Sequence, residues 1–160
     1  MTVEVGSKIP DTTVKVMRDG KPEEVSTADV LGSGKVVLFA VPGAFTPGCS
    51  KIHLPGYVER GAELKAKGVD TIACISINDA WVMDAWGQAH GVGEEILMLA
   101  DGNGTFTEAM GLTADMSGAG LGTRSKRYAA VIEDGTITEL EVESAPGVDV
   151  SSCESILSKV

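Results

Sequence analysis

The chain has 160 residues, of which 43% are hydrophobic and 20 are glycine. This length and composition are typical of one globular α/β domain with a single core, so we expect a single domain over residues 1–160. Its 13 Lys and Arg against 23 Asp and Glu give a formal net charge of −10. That charge should repel phosphate backbones and anionic lipids, which excludes nucleic acid and membrane surfaces as expected partners.

The first part of the chain predicts strands joined by turns. Short strands at 14–17 and 24–25, joined by an Asp-Gly turn, indicate an N-terminal β-hairpin. Residues 35–41 are a β-branched apolar run, typical of a strand buried on both faces of a mostly parallel sheet. This strand leads into a loop rich in proline and glycine at 42–49.

The middle of the chain alternates helices and strands. The pattern predicts, in order, a helix over 49–67, a strand over 69–76, a helix starting near Asn78 or Asp79, a strand over 96–100 and a short helix over 105–110. Pro55 should kink or divide the first helix, and Gly68 should end it.

The last part of the chain predicts a hairpin and a closing helix. An Asp-Gly pair, a strong signal for a two-residue turn, joins predicted strands at 127–133 and 136–142. Ser151 and Glu154 have the spacing of a capping box, which predicts an amphipathic helix from there to the C-terminus.

The order of these elements indicates the fold class. Parallel strands with crossover helices, followed by an antiparallel hairpin, predict a central mixed β-sheet flanked by helices. Among small α/β folds, the thioredoxin-like fold fits best, here with an N-terminal β-hairpin. Sites in such sheets lie at the carboxyl ends of the strands, where we expect the loop at 42–49.

Cys49 lies where an apolar strand and a loop give way to a helix. A sulfur in the first turn of a helix lies beside unpaired N–H groups and the positive end of the peptide dipoles, which favour the nucleophilic thiolate. Cys74 and Cys153 are by default small buried hydrophobes. No Cys-x-x-Cys pair and no signal-peptide pattern at 1–6 is present, so we expect a reducing, cytoplasmic location.

Pro42, Thr46 and Cys49 have the spacing Pro-x-x-x-Thr-x-x-Cys. The stretch Val-Pro-Gly-Ala-Phe-Thr-Pro-Gly-Cys-Ser around them resembles the active-site loop of the peroxiredoxins, which are thiol-dependent peroxidases. It is most similar to the type II group that includes peroxiredoxin 5. Other segments that resemble this family occur in the family's order at 53–57, 73–79, 99–102 and 120–128.

The resemblance implies a role for each of four residues. Cys49 would be the peroxidatic cysteine, whose thiolate attacks a peroxide oxygen and becomes a sulfenic acid. Thr46 would align the peroxide with the sulfur, and Pro42 would shield the sulfur from water. The guanidinium of Arg127 would stabilise the thiolate and the charge that shifts in the transition state.

The resemblance also implies substrates and partners. Hydrogen peroxide and alkyl hydroperoxides would be reduced without a cofactor or a metal, by a homodimer. The sulfenic acid must then be resolved by a thiol, for which Cys74, Cys153 and an external thiol are candidates. We favour the external route, through glutathione and glutaredoxin or through thioredoxin.

Other interpretations of the same residues stay open at this stage. Without the resemblance, Thr46 would be a helix cap, Pro42 a turn former and Arg127 a surface charge. His53 lies one helical turn after Cys49, so the two residues also suggest the Cys–His pair of a cysteine hydrolase.

A further set of alternatives concerns other classes of protein. Metal ligands are disfavoured because Cys49, His53, Cys74 and His90 include no pair with zinc-site spacing. The glycine-rich segment 118–122 does not follow a strand, so it is a flexible loop rather than a phosphate-binding one. A disulfide reductase would need a second active-site cysteine. A thiol redox sensor would use the same loop as a peroxidase.

Overall fold

The structure is built on a seven-stranded β-sheet with helices on both faces. The computed structural model describes residues 1–160. Its elements are, in chain order, β1 (Thr13–Arg18), β2 (Lys21–Ser26), α1 (Thr27–Leu31), β3 (Lys35–Ala40), α2 (Leu54–Ala66), β4 (Thr71–Ser76), α3 (Ala80–Ala89), β5 (Leu97–Ala100), α4 (Thr105–Met110), β6 (Thr113–Asp115), β7 (Thr123–Ser125), β8 (Tyr128–Glu133), β9 (Thr136–Val142) and α5 (Cys153–Leu157). None of these helices combines the length and the apolar character needed to span a lipid bilayer.

The strand order of the sheet is β2-β1-β5-β4-β3-β8-β9. The three central strands β5, β4 and β3 are parallel, and α2 and α3 make the crossovers that parallel pairing requires. The β1–β2 hairpin pairs antiparallel with β5, and the β8–β9 hairpin pairs antiparallel with β3. The result is the predicted mixed sheet, with a hairpin at each edge.

The sheet separates two apolar cores. Along β3, Val37 and Phe39 face one core while Val36 and Leu38 face the other, because successive side chains of a strand point to opposite faces. The first core lies between the sheet and α2, α3 and α5, and the second lies under α1 and α4. Each fully buried side chain of this size contributes about 1.5–3 kcal/mol of hydrophobic stabilisation.

The helix after the loop at 42–48 is divided near Pro55, as predicted. A π-helical turn spans Cys49–His53, and its last bond runs from the Leu54 N–H to the Cys49 carbonyl. The α-helix α2 then starts at Leu54 and has Pro55 in its first turn. A proline is tolerated there because the first turn has no use for its missing N–H.

The predicted start and end of the closing helix are wrong. Ser152 caps α5, and its side chain accepts from the Ser155 N–H, whereas the Ser151 hydroxyl donates to Glu143. The helix ends at Leu157 rather than at the C-terminus. The capping-box spacing selected the wrong serine because the carboxylate of Glu143, eight residues earlier, accepts the Ser151 hydroxyl.

Candidate active site

The loop after β3 is held by its neighbours at the carboxyl end of the sheet. The Ala44 N–H donates to Asn78 Oδ1 at 3.0 Å, and the Pro42 carbonyl accepts from Arg124 NH1 at 3.2 Å. Phe45 has a φ of 65°, a left-handed conformation that costs energy for a residue with a side chain. These contacts determine the path by which the chain enters the following helix.

The Cys49 sulfur is buried and has two polar neighbours. Thr46 Oγ1 lies 3.0 Å and Arg127 NH2 lies 3.1 Å from Sγ, and Cys49 is 0% exposed. Thr46 Oγ1 also lies 2.6 Å from the Gly43 carbonyl, so its single proton is donated either to that oxygen or to the sulfur. A hydroxyl and a guanidinium beside one sulfur stabilise negative charge on it.

The start of the helix adds free donors next to the sulfur. Helical geometry begins at Pro47, which places Cys49 in the first turn. The Ser50 N–H donates to the Thr46 carbonyl at 2.9 Å, but the N–H groups of Gly48 and Cys49 have no partner in the protein. Unpaired N–H groups at a helix start favour negative charge and are available to an oxygen that approaches the sulfur.

His53 orients the guanidinium and is not a base for Cys49. Its Nε2 lies 2.9 Å from the Ser151 carbonyl, and its Nδ1 lies 2.9 Å from Arg127 NH1. A carbonyl only accepts, so Nε2 carries the proton and Nδ1 accepts from Arg127. Burial lowers the pKa of His53 to about 4, so the ring is neutral. Both nitrogens are occupied, which rules out the hydrolase interpretation.

Aromatic packing supports the histidine from below. Phe39 stacks on Tyr57 with ring centroids 3.9 Å apart and planes 3° from parallel, and the His53 ring is tilted against Phe39 at 5.0 Å. Tyr57 Oη donates to the same Ser151 carbonyl that accepts from His53, at 2.9 Å. The hydrogen bond to the buried Ser151 carbonyl and the packing against the Phe39–Tyr57 stack leave the His53 ring little freedom to rotate.

The other two cysteines are free and buried. Cys74 lies in the middle of β4, between Phe39 of β3 and Met98 of β5. Burial raises the pKa of the Cys74 thiol well above its ordinary value. Cys153 begins α5, and burial raises its pKa to about 11. No group of three or more His, Cys, Asp or Glu side chains is placed to hold a metal ion.

A cavity of about 400 Å³ opens beside this cluster. Its wall includes Pro42 and Arg127, together with Met116, Lys126 and Glu143. The structure therefore brings two of the predicted residues, Thr46 and Arg127, into contact with Cys49, and places the remaining one, Pro42, in the wall of the adjacent cavity.

Sequence reasoning missed two groups at this site. The sequence suggests His53 as a base for Cys49 or as a metal ligand, but not as a partner of Arg127; its place one helical turn after Cys49 was the only available signal. The Ser151 carbonyl had no local signal, because it lies 98 residues from the histidine that it binds. The identity of a residue says little about where its carbonyl points.

Comparison with known proteins identifies the family. The chain matches the Redoxin family over residues 4–157. The chain belongs to this family. A peroxiredoxin of Oryza sativa subsp. japonica, Peroxiredoxin-2E-2 (chloroplastic), is 47% identical over 161 residues, which cover 98% of this chain and 72% of the relative.

Solved structures show the same relationship. Reduced Prx3 of Vibrio vulnificus in complex with hydrogen peroxide is 47% identical with a TM-score of 0.94, and the match covers 99% of each chain. Peroxiredoxin 5 of Alvinella pompejana is 37% identical with a TM-score of 0.85, covering 97% of this chain and 96% of that one.

The chain is thus a peroxiredoxin, a thiol-dependent peroxidase that reduces peroxides. The thioredoxin-like fold and the enzyme class predicted from the sequence are confirmed. A peroxiredoxin needs a cysteine whose negative charge is stabilised and that a peroxide can reach. In this chain, Cys49 is the cysteine whose sulfur has donors at 3.0 and 3.1 Å, and its partner Arg127 lines the adjacent cavity.

Proposed function

We propose that Cys49 is the peroxidatic cysteine of this peroxiredoxin, with Thr46, Pro42 and Arg127 as its catalytic partners, and that its substrates are hydrogen peroxide and alkyl hydroperoxides. The main support is the pair of donors on Sγ, Thr46 Oγ1 at 3.0 Å and Arg127 NH2 at 3.1 Å. A thiol whose charge is stabilised in this way is the better nucleophile.

The proposed reaction is an attack of the Cys49 thiolate on one oxygen of the peroxide. An S–O bond forms while the O–O bond breaks, and the departing oxygen keeps the electron pair and takes up a proton to leave as water or an alcohol. Thr46 holds the attacked oxygen in line with the sulfur, and Arg127 stabilises the charge that moves to the departing oxygen. Pro42 limits access of water to the sulfur.

We propose that an external thiol reduces the resulting sulfenic acid. The first thiol displaces water and forms a mixed disulfide with Cys49, and a second thiol releases Cys49 and leaves as part of a disulfide. Glutathione with glutaredoxin is the favoured reductant, and thioredoxin is the alternative. Burial and the raised pKa values of Cys74 and Cys153 support this route, because a protonated thiol is a poor attacking group.

Steady-state turnover of three variants tests the function and the route. We expect Cys49→Ser to abolish reduction of hydrogen peroxide, and Cys74→Ser and Cys153→Ser each to retain it with glutathione and glutaredoxin. Turnover by Cys49→Ser would overturn the assignment of the nucleophile. Loss of turnover in either other variant would identify an internal resolving cysteine instead. Oxidation of Cys49 without sustained turnover would favour the alternative function, a thiol redox sensor.

We further propose that the protein is a type II, peroxiredoxin 5-like member that forms a homodimer in the cytoplasm. The similarity to the Alvinella pompejana peroxiredoxin 5 supports the subtype. Phe45 and Trp81, 55% and 63% exposed, support self-association. They lie on segments that the Ala44–Asn78 hydrogen bond joins. Three free cysteines support a reducing compartment.

A further inference from the structure

The segment between β9 and α5 is a loop closed by a single carboxylate. Glu143 follows β9 directly, and its Oε2 accepts from the Asp149 N–H at 2.7 Å. The same oxygen accepts from the Ser151 N–H at 2.9 Å and from the Ser151 hydroxyl at 2.6 Å. Residues 144–147, between these contacts, are exposed. The side chain of Glu143 therefore determines where the far end of the loop lies.

The acid is held in its charged form by these contacts. Partial burial opposes the charge of Glu143, but hydrogen bonds from Ser151, Asp149 and Val150 outweigh it and bring the pKa below its ordinary value. A charged carboxylate is a stronger hydrogen-bond acceptor than a neutral amide of the same shape. The closure of the loop thus depends on the charge as well as on the shape of this side chain.

The loop between β9 and α5 positions the Ser151 carbonyl. Ser151 is buried, and its carbonyl accepts from His53 Nε2 and from Tyr57 Oη, both at 2.9 Å. The other nitrogen of His53 accepts from Arg127 NH1 at 2.9 Å, while Arg127 NH2 donates to Cys49 Sγ at 3.1 Å. A shift of the carbonyl would therefore move the ring, and the ring would release or redirect the guanidinium.

These contacts form a closed chain of hydrogen bonds that begins and ends on Arg127. The Glu143 N–H donates to the Arg127 carbonyl at 3.0 Å, so this one residue holds the main chain of Arg127 directly and its guanidinium through the loop. We propose that Glu143 is a positioning residue for the peroxidase reaction: it holds the Ser151 carbonyl, and through that carbonyl and His53 it aims Arg127 at the Cys49 sulfur.

The inference rests on the proposed roles of Cys49 and Arg127, and a double-mutant cycle tests it. The measurement is the second-order rate constant for oxidation of Cys49 by hydrogen peroxide in a single turnover of the full chain. We expect Glu143→Gln to lower this rate about tenfold, because small displacements of a catalytic group are costly. In an Arg127→Ala background, Glu143→Gln should have no further effect, since its influence passes through the guanidinium.

A matched control, Glu141, lies two residues earlier, on β9. Glu141→Gln removes the same charge but disrupts only a surface ion pair with Lys159 at 3.1 Å, so it should react at the wild-type rate. Thermal unfolding of every variant shows whether a slower reaction reflects loss of the fold. Ser151→Ala, which deletes the hydroxyl and keeps the carbonyl, should slow the reaction less than Glu143→Gln and should also lose its effect without Arg127.

Distinct results would overturn the inference. If Glu143→Gln reacts at the wild-type rate while Arg127→Ala reacts slowly, the role of Glu143 is refuted and that of Arg127 stands. An equal slowing by Glu143→Gln with and without Arg127 would show a general structural role. An Arg127→Ala variant that reacts as fast as the wild type would remove the proposed role of Arg127 and this inference together. If Glu143→Gln does not fold, Ser151→Ala provides the same comparison across the two backgrounds.

Discussion

At the scale of single residues, the reactivity that we propose for Cys49 depends on its neighbours rather than on exposure. All three cysteines are buried and free, but Cys49 alone has a hydroxyl and a guanidinium within 3.1 Å of its sulfur. Burial without such partners raises the pKa values of Cys74 and Cys153. Burial therefore disfavours the thiolate of Cys74 and Cys153, whereas the two donors beside Cys49 support our proposal that it is the nucleophile.

The Thr46 hydroxyl should matter more than the shape of its side chain. Thr46→Val keeps the shape but removes the donor at 3.0 Å from Sγ, and we expect the rate of Cys49 oxidation to fall about 100-fold. Thr46→Ser keeps the hydroxyl and should retain most of the rate. Stopped-flow measurement with hydrogen peroxide compares the two variants. Equal rates for Val and Ser would show that the hydroxyl has no part in the reaction.

The buried histidine should make the protein sensitive to acid. The pKa of His53 is about 4 when folded and about 6.5 when unfolded, so between these values the unfolded chain binds more protons and stability falls as the pH falls. We expect His53 to account for a loss of roughly 2 kcal/mol in unfolding free energy between pH 7 and pH 5. Urea unfolding of the wild type and of His53→Gln at both pH values measures this. Parallel losses in the two proteins would contradict it.

At the scale of elements, a single helical turn contacts both terminal nitrogens of the Arg127 guanidinium. The π-helical turn Cys49–His53 carries the sulfur that binds NH2 and the ring that binds NH1 of Arg127. Turns of this kind are rare and occur often at functional sites. The regular α-helix α2 then starts at Leu54, with Pro55 in its first turn. The π-helical geometry is thus limited to the turn that carries Cys49 and His53, while the buried side chains of α2 attach this turn to the core.

The end of α4 offers a test of local backbone requirements away from the site. Gly111 has a φ of 72°, and a Cβ there would lie 2.6 Å from Thr2 Cα and still closer to the Met1 carbonyl. We expect Gly111→Ala to lower the unfolding free energy by about 2 kcal/mol or more. Gly91→Ala, with a φ of 66° and open space around it, should lose only about 1 kcal/mol. Chemical denaturation compares them, and equal losses would show that crowding at Gly111 has no cost.

At the scale of the whole molecule, the sheet gathers groups from distant parts of the chain. Arg127 precedes β8, which pairs with β3, and β3 ends at the loop that carries Thr46 and Cys49. The antiparallel pairing of Ala40 with Tyr128 therefore places the guanidinium beside the sulfur. The C-terminal loop then joins the cluster through Glu143 and Ser151.

The proposed homodimer should depend on the exposed aromatic residues. Trp81→Glu places a charge on the surface that we expect to be buried between two chains, so this variant should sediment as a monomer under conditions where the wild type is a dimer. Val5→Glu, at a similarly exposed apolar residue elsewhere, is the control and should remain dimeric. A monomeric wild type would refute the dimer, and a dimeric Trp81→Glu would place the interface on another surface.

From the sequence alone one could predict the order of the principal strands and helices, the division of the helix at Pro55 and the thiol peroxidase loop. These features are local, because apolar periodicity, a proline and a short motif act through near neighbours. Boundaries were less accurate: the strand predicted at 69–76 starts at Thr71, and the short β6–β7 pair was not predicted. The local sequence preference is weak at strand ends, so pairing with neighbouring strands determines where each strand begins and ends.

Only the tertiary structure decided which groups act together around Cys49. The interpretation of Ser151 as a helix cap was wrong because the carboxylate of Glu143, eight residues earlier across a loop, accepts its hydroxyl. Burial keeps His53 neutral, and the partner of its Nε2 is a carbonyl 98 residues away. Hydrogen bonds between distant segments depend on where backbone groups point once the sheet has formed, and no short stretch of sequence encodes that direction.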